Sequence, residues 1–171
     1  MTVRRLFGSV VFGFVVLAAT PAPATFRDGM AALGRHDYVA AVGWFGPLAE
    51  AGNPKAQAIL GYLYATGHGV PQNYVEAARW YRRASVQGNA TAQFMLGLMY
   101  DKGQGVPQDY VIAYMWLDLA VGRATGRTRQ DWVRIRDAVA SKLSLAELTL
   151  GQRLALEFRP VSELWLGSPP Q

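Results

Sequence analysis

One short stretch of sequence occurs twice in this chain and constrains its fold more than any other feature. The stretch GHGVPQNY occupies residues 67–74, and GQGVPQDY occupies residues 103–110, 36 residues later. A phosphate-binding loop or a metal site is needed once, whereas a duplicated loop indicates a duplicated structural unit. The rest of the chain should therefore repeat with the same period.

The repeat extends well beyond the loop. The segments that contain the two loops are identical at 16 of 36 positions. A weaker copy precedes them, and Trp44, Trp80 and Trp116 follow one another at the same spacing. The chain is therefore predicted to contain one degenerate repeat and two full repeats, at residues 25–52, 53–88 and 89–124.

Each full repeat has the pattern of two helices joined by a turn. In the first full repeat Asn53 is a favourable N-cap, Pro54 suits the first helical position, and apolar residues then follow at helical spacing. The glycines and the proline of the duplicated loop end this helix, and Asn73 caps the next one. The duplicated stretch is therefore predicted to be the turn between two antiparallel helices.

Repeated residues inside the helices predict how the helices pack. Gly61 and Gly97 lie within first helices, where glycine costs about 1 kcal/mol relative to alanine. A neighbouring helix should therefore approach closely at both positions. Trp80 and Trp116 lie on the apolar stripes of the second helices and are predicted to be buried in the core.

The shared pattern AQxxLGxxYxxGxGVPQxYxxAxxWxxxA resembles the Sel-one-like repeat, a branch of the tetratricopeptide superfamily. The resemblance implies an all-α fold, a short right-handed α-solenoid of antiparallel helix hairpins with about eight helices. Residues 125–158 are similar to the capping helix pair that closes many bacterial members. Residues 159–171 form a tail in which Leu164, Trp165 and Leu166 are a candidate docking patch.

Residues 1–24 have the order of a secretory signal peptide. A basic start at Arg4 and Arg5 precedes an apolar stretch, residues 6–19, and a small-residue site that ends at Ala24. The apolar stretch is short for a membrane helix, which needs about 20 residues. We therefore predict cleavage after Ala24 and a periplasmic or secreted protein. Membrane anchoring by an uncleaved residues 6–19 is the alternative.

The composition does not favour catalysis or metal binding. The chain has no cysteine and two histidines, His36 and His68, neither of which has a second ligand at metal-binding spacing. No Gly-x-Ser-x-Gly or Ser-x-x-Lys nucleophile pattern occurs, and no Gly-Lys-Ser/Thr sequence follows the glycines. The sequence therefore predicts no catalytic residue, no cofactor and no bound metal.

An arginine-rich segment lies in the predicted cap. Asp131 and Asp137 are spaced to pair with Arg127 and Arg134, which favours a solvated helix face. A weak contact with an anionic membrane or an acidic partner is the alternative. Nucleic acid is not expected as a partner, because the protein is predicted to be exported. The arginines of this segment are Arg123, Arg127, Arg129, Arg134 and Arg136.

The helical periodicity also predicts a partner-binding face. Residues opposite the buried stripe of each first helix should line one continuous concave surface, because solenoid stacking aligns equivalent faces. Tyr62, Phe94 and Leu98 would make this surface partly apolar, with the aromatic residues as anchors. Coverage of the surface by the cap or the tail is the alternative. The predicted partner-binding residues are Lys55, Ala58, Tyr62, Thr91, Phe94, Leu98, Asp101 and Lys102.

The functional prediction follows from the resemblance, since related repeats imply adaptor or regulatory roles between proteins, some of them in envelope signalling. We expect a non-enzymatic interaction module that binds a peptide or protein segment, with a protein of the cell envelope as partner. Two alternatives stay open. One is a cell-envelope hydrolase acting on a β-lactam or cell-wall substrate, an activity attached to some relatives. The other is an envelope-attached scaffold held by an uncleaved signal or by the arginine-rich cap.

Overall fold

Eight α-helices make up the part of the chain that the structure describes. The computed structural model describes residues 25–160, and no strand occurs within this range. None of these helices combines the length and the apolar character that a membrane crossing requires. The predicted signal peptide and the predicted docking patch of the tail lie outside the described residues. The helices are α1 (Phe26–Gly34), α2 (Tyr38–Glu50), α3 (Pro54–Thr66), α4 (Tyr74–Ser85), α5 (Ala90–Lys102), α6 (Tyr110–Arg123), α7 (Gly126–Ala140) and α8 (Leu145–Glu157).

The helices form hairpins that stack side by side. Helix α1 packs with α2, α3 with α4, and α5 with α6. Consecutive hairpins are joined by contacts of α2 with α3 and of α4 with α5. Helices α7 and α8 both pack against α6 at the C-terminal end. This order of contacts is that of a solenoid, so the predicted all-α fold of helix hairpins is confirmed.

Helix ends follow the capping residues of the sequence. The side-chain oxygen of Asn53 accepts hydrogen bonds from the backbone N–H groups of Lys55, at 3.0 Å, and Ala56, at 3.1 Å. These donors would otherwise have no partner within the helix. Helices α3 and α5 end at Gly67 and Gly103, which adopt the left-handed conformation with φ of 73° and 67°.

Glycines in the first helices receive side chains from the second helices. A Cβ atom added at any of three glycines would lie 2.6–2.7 Å from the facing side chain, a distance that real Cβ atoms essentially never show. The close approach expected at Gly61 and Gly97 is therefore confirmed. One such pair occurs in each hairpin: Gly29 with Phe45, Gly61 with Tyr81, and Gly97 with Leu117.

The repeated tryptophans occupy the core of the two full repeats. Trp80 and Trp116 are 5% and 6% exposed, which confirms their predicted burial. Trp116 also meets the ring of Phe158, with ring centroids 5.4 Å apart. In the degenerate repeat Trp44 is only half-buried, and the neighbouring Phe45 is fully buried. The fully buried aromatic residue of the first hairpin is therefore Phe45, which stands at the position of Tyr81 in the next repeat.

The duplicated loops pack against the preceding hairpin. Gly69 lies on the backbone of Tyr38, where α2 begins, and Gly105 lies on the backbone of Tyr74, where α4 begins. Both glycines have positive φ, 74° and 69°, and an added Cβ atom would overlap the carbonyl group of the facing tyrosine. Each copy of the loop therefore turns the chain and also seats one hairpin on the preceding one.

Two buried glutamines also join consecutive hairpins. Gln57 Nε2 donates a hydrogen bond to the carbonyl oxygen of Ala49 in α2, at 3.0 Å. Gln93 Nε2 donates to the carbonyl oxygen of Ser85 in α4, also at 3.0 Å. The two glutamines are 1% and 0% exposed, so these bonds are shielded from water. Each carbonyl group also accepts a bond from the backbone N–H of a glycine just after its helix, Gly52 or Gly88, so the glutamine adds a second bond there.

Candidate functional site

One cavity opens on the surface shared by the first helices of the three hairpins, α1, α3 and α5, which we call the first-helix face. Its volume is about 430 Å³. Pockets that bind ligands typically have volumes of roughly 300–1,000 Å³. The cavity is therefore large enough for one or more side chains of a partner.

Helical spacing brings the walls of this cavity together. Helix α1 contributes Phe26, Met30 and Leu33, which lie four and three residues apart and so share one helix face. The residues from α3 and α5 follow the same kind of spacing. They are Lys55, Ala58, Ile59, Tyr62, Thr91 and Met95.

Tyr81 of α4 also lines the cavity and carries an unusual polar group. Its ring faces Gly61 of α3, and the side chain is 1% exposed. Its hydroxyl has no hydrogen-bond partner among the described residues. Burial, with Tyr62 as a smaller cause, raises the pKa of Tyr81 well above its ordinary value, so the hydroxyl stays protonated.

The cavity carries little charge. Within the described part of the chain, Lys55 is the single charged residue that lines it, and no carboxylate or imidazole does so. The side-chain oxygen of Asn89, another lining residue, accepts a hydrogen bond from the backbone N–H of Ala92 at 2.9 Å. The remaining surface is mainly apolar, which suits a neutral or anionic guest with a large apolar part.

The cavity brings together half of the predicted partner-binding residues. Helix α3 places Lys55, Ala58 and Tyr62 on its wall, and α5 places Thr91 there. Tyr62 is 43% exposed and so remains accessible to a partner. The binding role of these residues stays a prediction.

The next part of the predicted face, on α5, makes contacts with other residues of this chain. Phe94 stacks on Trp132 of α7, with ring centroids 4.5 Å apart and ring planes at 10°. Asp101 forms an ion pair with Lys142, which follows α7, and is 16% exposed. The expected single continuous surface therefore divides in two, because the cap stacks Trp132 on Phe94 and pairs Lys142 with Asp101. Leu98 is half-buried beyond the cavity.

Lys102, at the end of α5, is exposed and does not line the cavity. The roles of Leu98, Asp101 and Lys102 in partner binding stay predictions. The alternative that the cap covers this face applies to Phe94 and Asp101, because each contacts a residue in or just after α7.

The wall that α1 contributes was not predicted from the sequence. Its three lining residues belong to the degenerate repeat, whose first helix shares few residues with the later ones. The available signal was the spacing of Phe26, Met30 and Leu33, which is that of one helix face. Met30 is 47% exposed, so this apolar face is only partly covered within the described residues.

The arginines of the cap form one ion pair that the spacing allowed, Asp131 with Arg134, and two others that involve Arg136. Asp131 pairs with Arg134 at 3.5 Å, and Asp137 pairs with Arg136 at 2.8 Å. Arg136 also bonds Asp118 at 2.9 Å and so ties α7 to α6. A membrane or acidic-partner contact through this segment stays a prediction. The other arginines of the segment are exposed: Arg123, Arg127 and Arg129.

The two histidines contact the same tyrosine. The His68 ring stacks on the ring of Tyr38, with centroids 4.3 Å apart and planes at 13°. His36 Nδ1 lies 2.9 Å from the hydroxyl of Tyr38. These contacts give both histidines a packing role at the first loop. Within residues 25–160, no group of three or more potential metal ligands occurs.

The stacked hairpins and the duplicated loops define a helical repeat protein, and comparison with known families identifies the repeat. The Sel1 repeat model matches residues 27–53, 54–89 and 90–121. The chain therefore belongs to the Sel1 repeat family. Sel1 repeats generally mediate protein–protein interactions.

Two solved structures are similar to this one. One is c5321, a protective antigen present in uropathogenic Escherichia coli strains that displays an SLR fold, with 28% identity, a TM-score of 0.72, and coverage of 84% of this chain and 32% of that chain. The other is a Sel1 repeat protein from Oxalobacter formigenes, with 31% identity, a TM-score of 0.58, and coverage of 77% and 54%. The chain thus matches about a third and about half of the lengths of these proteins. No curated protein sequence matches it significantly.

Proposed function

We propose that this chain is a secreted or periplasmic, non-enzymatic interaction module, an adaptor or regulator that binds a peptide or protein segment at its first-helix face. The cavity between α1, α3 and α5 is the observation that carries this proposal. The general role of Sel1 repeats in protein–protein interaction supports a protein as the partner.

The exposed apolar residues of the cavity supply the binding energy in this proposal. Met30 and Tyr62, 47% and 43% exposed, belong to different helices and leave apolar area in contact with water. Covering such area contributes about 25 cal/mol per Å². A few anchor side chains usually carry most of the affinity of an interface. A short segment that inserts one or two anchors therefore fits this cavity.

The polar groups of the cavity favour binding over catalysis. They comprise the ammonium group of Lys55, the amide of Asn89, and the hydroxyls of one threonine and two tyrosines. Hydrolysis by a protein nucleophile needs that nucleophile within hydrogen-bond reach of a general base. No carboxylate or imidazole lines the described cavity, and no serine or cysteine does so.

Export is proposed from the sequence of residues 1–24. Cell fractionation combined with mass measurement of the N-terminus tests it. We expect a chain that begins at Thr25 in the soluble envelope or secreted fraction. A chain that retains residues 1–24 and sediments with membranes would support the anchored alternative and contradict cleavage after Ala24.

Partner binding is tested with the photo-crosslinking amino acid p-benzoylphenylalanine at position 62, on the edge of the cavity. Val75 is 63% exposed and lies outside the cavity, so the same amino acid at position 75 is the matched control. We expect an adduct from position 62 that is absent at position 75. The adduct should disappear when Ala58→Trp fills the cavity. Equal adducts at both positions, or adducts unaffected by Ala58→Trp, would contradict the proposal.

A further inference from the structure

The cap helix α8 turns large apolar residues away from the core. The residues that it buries are small, Gly151 and Ala155, and a Cβ atom added at Gly151 would lie 2.9 Å from the ring of Tyr114. Leu145 and Leu156, by contrast, are 81% and 77% exposed. The element that ends a solenoid normally has a polar outer face. The apolar outer face of α8 therefore indicates a contact that the described residues do not supply.

A groove of about 580 Å³ runs along the same outer face. Its lining positions and Leu156 lie within about 140° of one another around the helix, at 100° per residue. They therefore form one apolar stripe that contains a single charged residue. The residues that line the groove are Leu145, Ala146, Thr149, Leu150 and Arg153.

The charged residue of this stripe defines what should cover it. Arg153 is exposed, and no carboxylate of the described residues forms an ion pair with it. Complementary surfaces match opposite charges. A segment that covers the groove should therefore bring a carboxylate together with a large apolar side chain.

The chain itself carries such a segment directly after α8. Residues 161–171 follow the last described residue, and Glu163 is the single charged side chain among them. Trp165 stands two residues later, and residues at this spacing share one side of an extended segment. Arg159 Nη1 donates a hydrogen bond to the carbonyl oxygen of Leu156, at 2.8 Å, and so holds the chain at the end of α8 just before this segment.

The spacings along the helix and along the tail agree. Thr149 and Arg153 are four residues apart in α8, which is about 6 Å along the helix axis. Glu163 and Trp165 would be about 7 Å apart in an extended segment. Six residues lead from Glu157 to Glu163 and span up to about 20 Å. Arg153 lies about 6 Å back from Glu157 along the helix, so the tail is long enough to turn and reach it.

We propose that the tail of this chain runs back antiparallel to α8 and covers its outer face, with Glu163 paired with Arg153 and Trp165 in the groove between Leu145 and Leu150. This inference goes beyond the proposed function and involves no residue of the first-helix face. The tail closes the apolar C-terminal end of the solenoid, so that neither a second copy of the chain nor a partner protein stacks on α8.

The indole ring of Trp165 reports on this contact. The chain has five tryptophans, and labelling with 5-fluorotryptophan gives each of them a ¹⁹F resonance. Trp165→Phe identifies the resonance of this residue, and its shift between H2O and D2O measures the access of water to the ring. We expect a shielded ring in the full chain at every protein concentration. A water-exposed ring would overturn the proposal. Shielding that appears only at high concentration would also overturn it, because the tail of a second copy would then be the occupant.

Substitutions on α8 should release the tail without unfolding the protein. Leu145→Ser combined with Leu156→Ser should move the Trp165 resonance to its position in urea. The other four tryptophan resonances should stay in place, because the two leucines are mostly exposed. Val39→Ser combined with Val75→Ser, at positions that are 72% and 63% exposed, is the matched control and should leave Trp165 shielded.

An unchanged Trp165 resonance in the α8 variant would overturn the proposed site. A response of Trp165 to Ala58→Phe instead would place the tail in the first-helix cavity, which would overturn the inference by naming a different site. Neither result depends on whether a partner protein binds, so the inference and the proposed function fail separately.

Exchange of the two charges tests the alignment of the tail on α8. Arg153→Glu should lower the ratio of docked to released tail about threefold to tenfold, because it removes an exposed ion pair and adds repulsion. The addition of Glu163→Arg should restore the shielding of Trp165. If the exchanged pair leaves Trp165 as exposed as Arg153→Glu alone does, the pairing is wrong.

Discussion

The two parts of the first-helix face use equivalent repeat positions in opposite ways. Ala58 on α3 and Phe94 on α5 stand 36 residues apart and occupy the same place in their repeats. Ala58 lines the open cavity, whereas Phe94 stacks on Trp132 of the cap. The same helical framework therefore produces an open site or a closed contact, according to the side chain it presents and the helix that lies beyond it.

This difference follows from the position of each repeat in the stack. The last hairpin of a solenoid must be covered, because its apolar face has no further repeat to pack against. Helices α7 and α8 supply that cover by packing on α6, and α7 also reaches α5 through the stack of Trp132 on Phe94. Among the described residues, the N-terminal part of the face lies outside this cover, and its apolar residues Met30 and Tyr62 are exposed.

The largest predicted effect concerns the core, which should be equally stable beneath the open cavity and beneath the contact with the cap. Trp80→Ala and Trp116→Ala should each lower the free energy of unfolding by about 3–5 kcal/mol, because both side chains are almost completely buried. Trp44→Ala is the matched control and should cost less, since Trp44 is half-buried. Urea denaturation measures all three. A small loss for only one of the buried tryptophans would show that the two parts differ in their cores.

The next prediction tests the closed part of the face, where Phe94 contacts the cap. Phe94→Ala should lower the free energy of unfolding by about 2 kcal/mol, because it removes a partly buried ring and its stacking on Trp132. Tyr62→Ala, on the open part, should change it by about 0.5 kcal/mol or less. Urea denaturation followed by circular dichroism gives both values. Equal losses would mean that the open and closed parts do not differ in this way.

A third substitution places phenylalanine, the residue of the closed part, at the equivalent position of the open part. Ala58→Phe should fill the cavity and abolish the adduct that p-benzoylphenylalanine at position 62 forms with the partner. It should change the free energy of unfolding by about 1 kcal/mol or less, because the side chain enters space that is already open. Thr66→Phe, at an exposed position of the same helix, is the control. An undiminished adduct in Ala58→Phe would place the bound partner elsewhere.

The smallest predicted effect concerns α8, which closes the C-terminal end. The Ser144 hydroxyl, and then its backbone N–H, lower the pKa of Glu147, whose Oε2 lies 2.7 Å from Oγ and 2.8 Å from N. A lowered carboxyl pKa stabilises the fold above the unfolded value of about 4.3, and this contribution is lost as the pH falls through the folded value.

Glu147→Gln should therefore lower the melting temperature slightly at pH 7 and leave it nearly unchanged at pH 3. Thermal denaturation at both pH values measures the difference. Gln152→Ala, at an exposed and uncharged position of α8, is the control and should change the melting temperature equally at both pH values. An equal decrease in the melting temperature of Glu147→Gln at both pH values would contradict a role for the charged carboxylate.

The sequence predicted the hairpins and the core because both recur with the period. Gly61 and Gly97 marked close helix contacts, and Trp80 and Trp116 marked buried positions, since packing inside each hairpin depends on residues of that hairpin. Local periodicity is enough for these features, because each helix shows which of its faces is buried.

The division of the first-helix face was not predictable in the same way. Ala58 and Phe94 lie opposite the buried stripes of their helices, so the sequence shows that both point away from their hairpins. It does not show which element packs against them there. That depends on the direction in which α7 leaves α6, which brings Trp132 to Phe94. The α1 wall was missed for a related reason. The degenerate repeat shares few residues with the full repeats, so its residues could not be matched one by one to theirs. Contacts between distant elements require the assembled structure.

The backbone contacts at Gly69 and Gly105 also bear on the superhelix as a whole. Two hairpins held in backbone contact at their loops have one edge at which their separation is fixed. The packing of α2 with α3 and of α4 with α5, and the two buried glutamines, hold the same hairpins together elsewhere. The loop glycines therefore set the closest distance that consecutive hairpins can reach at this edge. Alanine at both positions would increase that distance and, through it, change the width of a cavity that neither glycine lines.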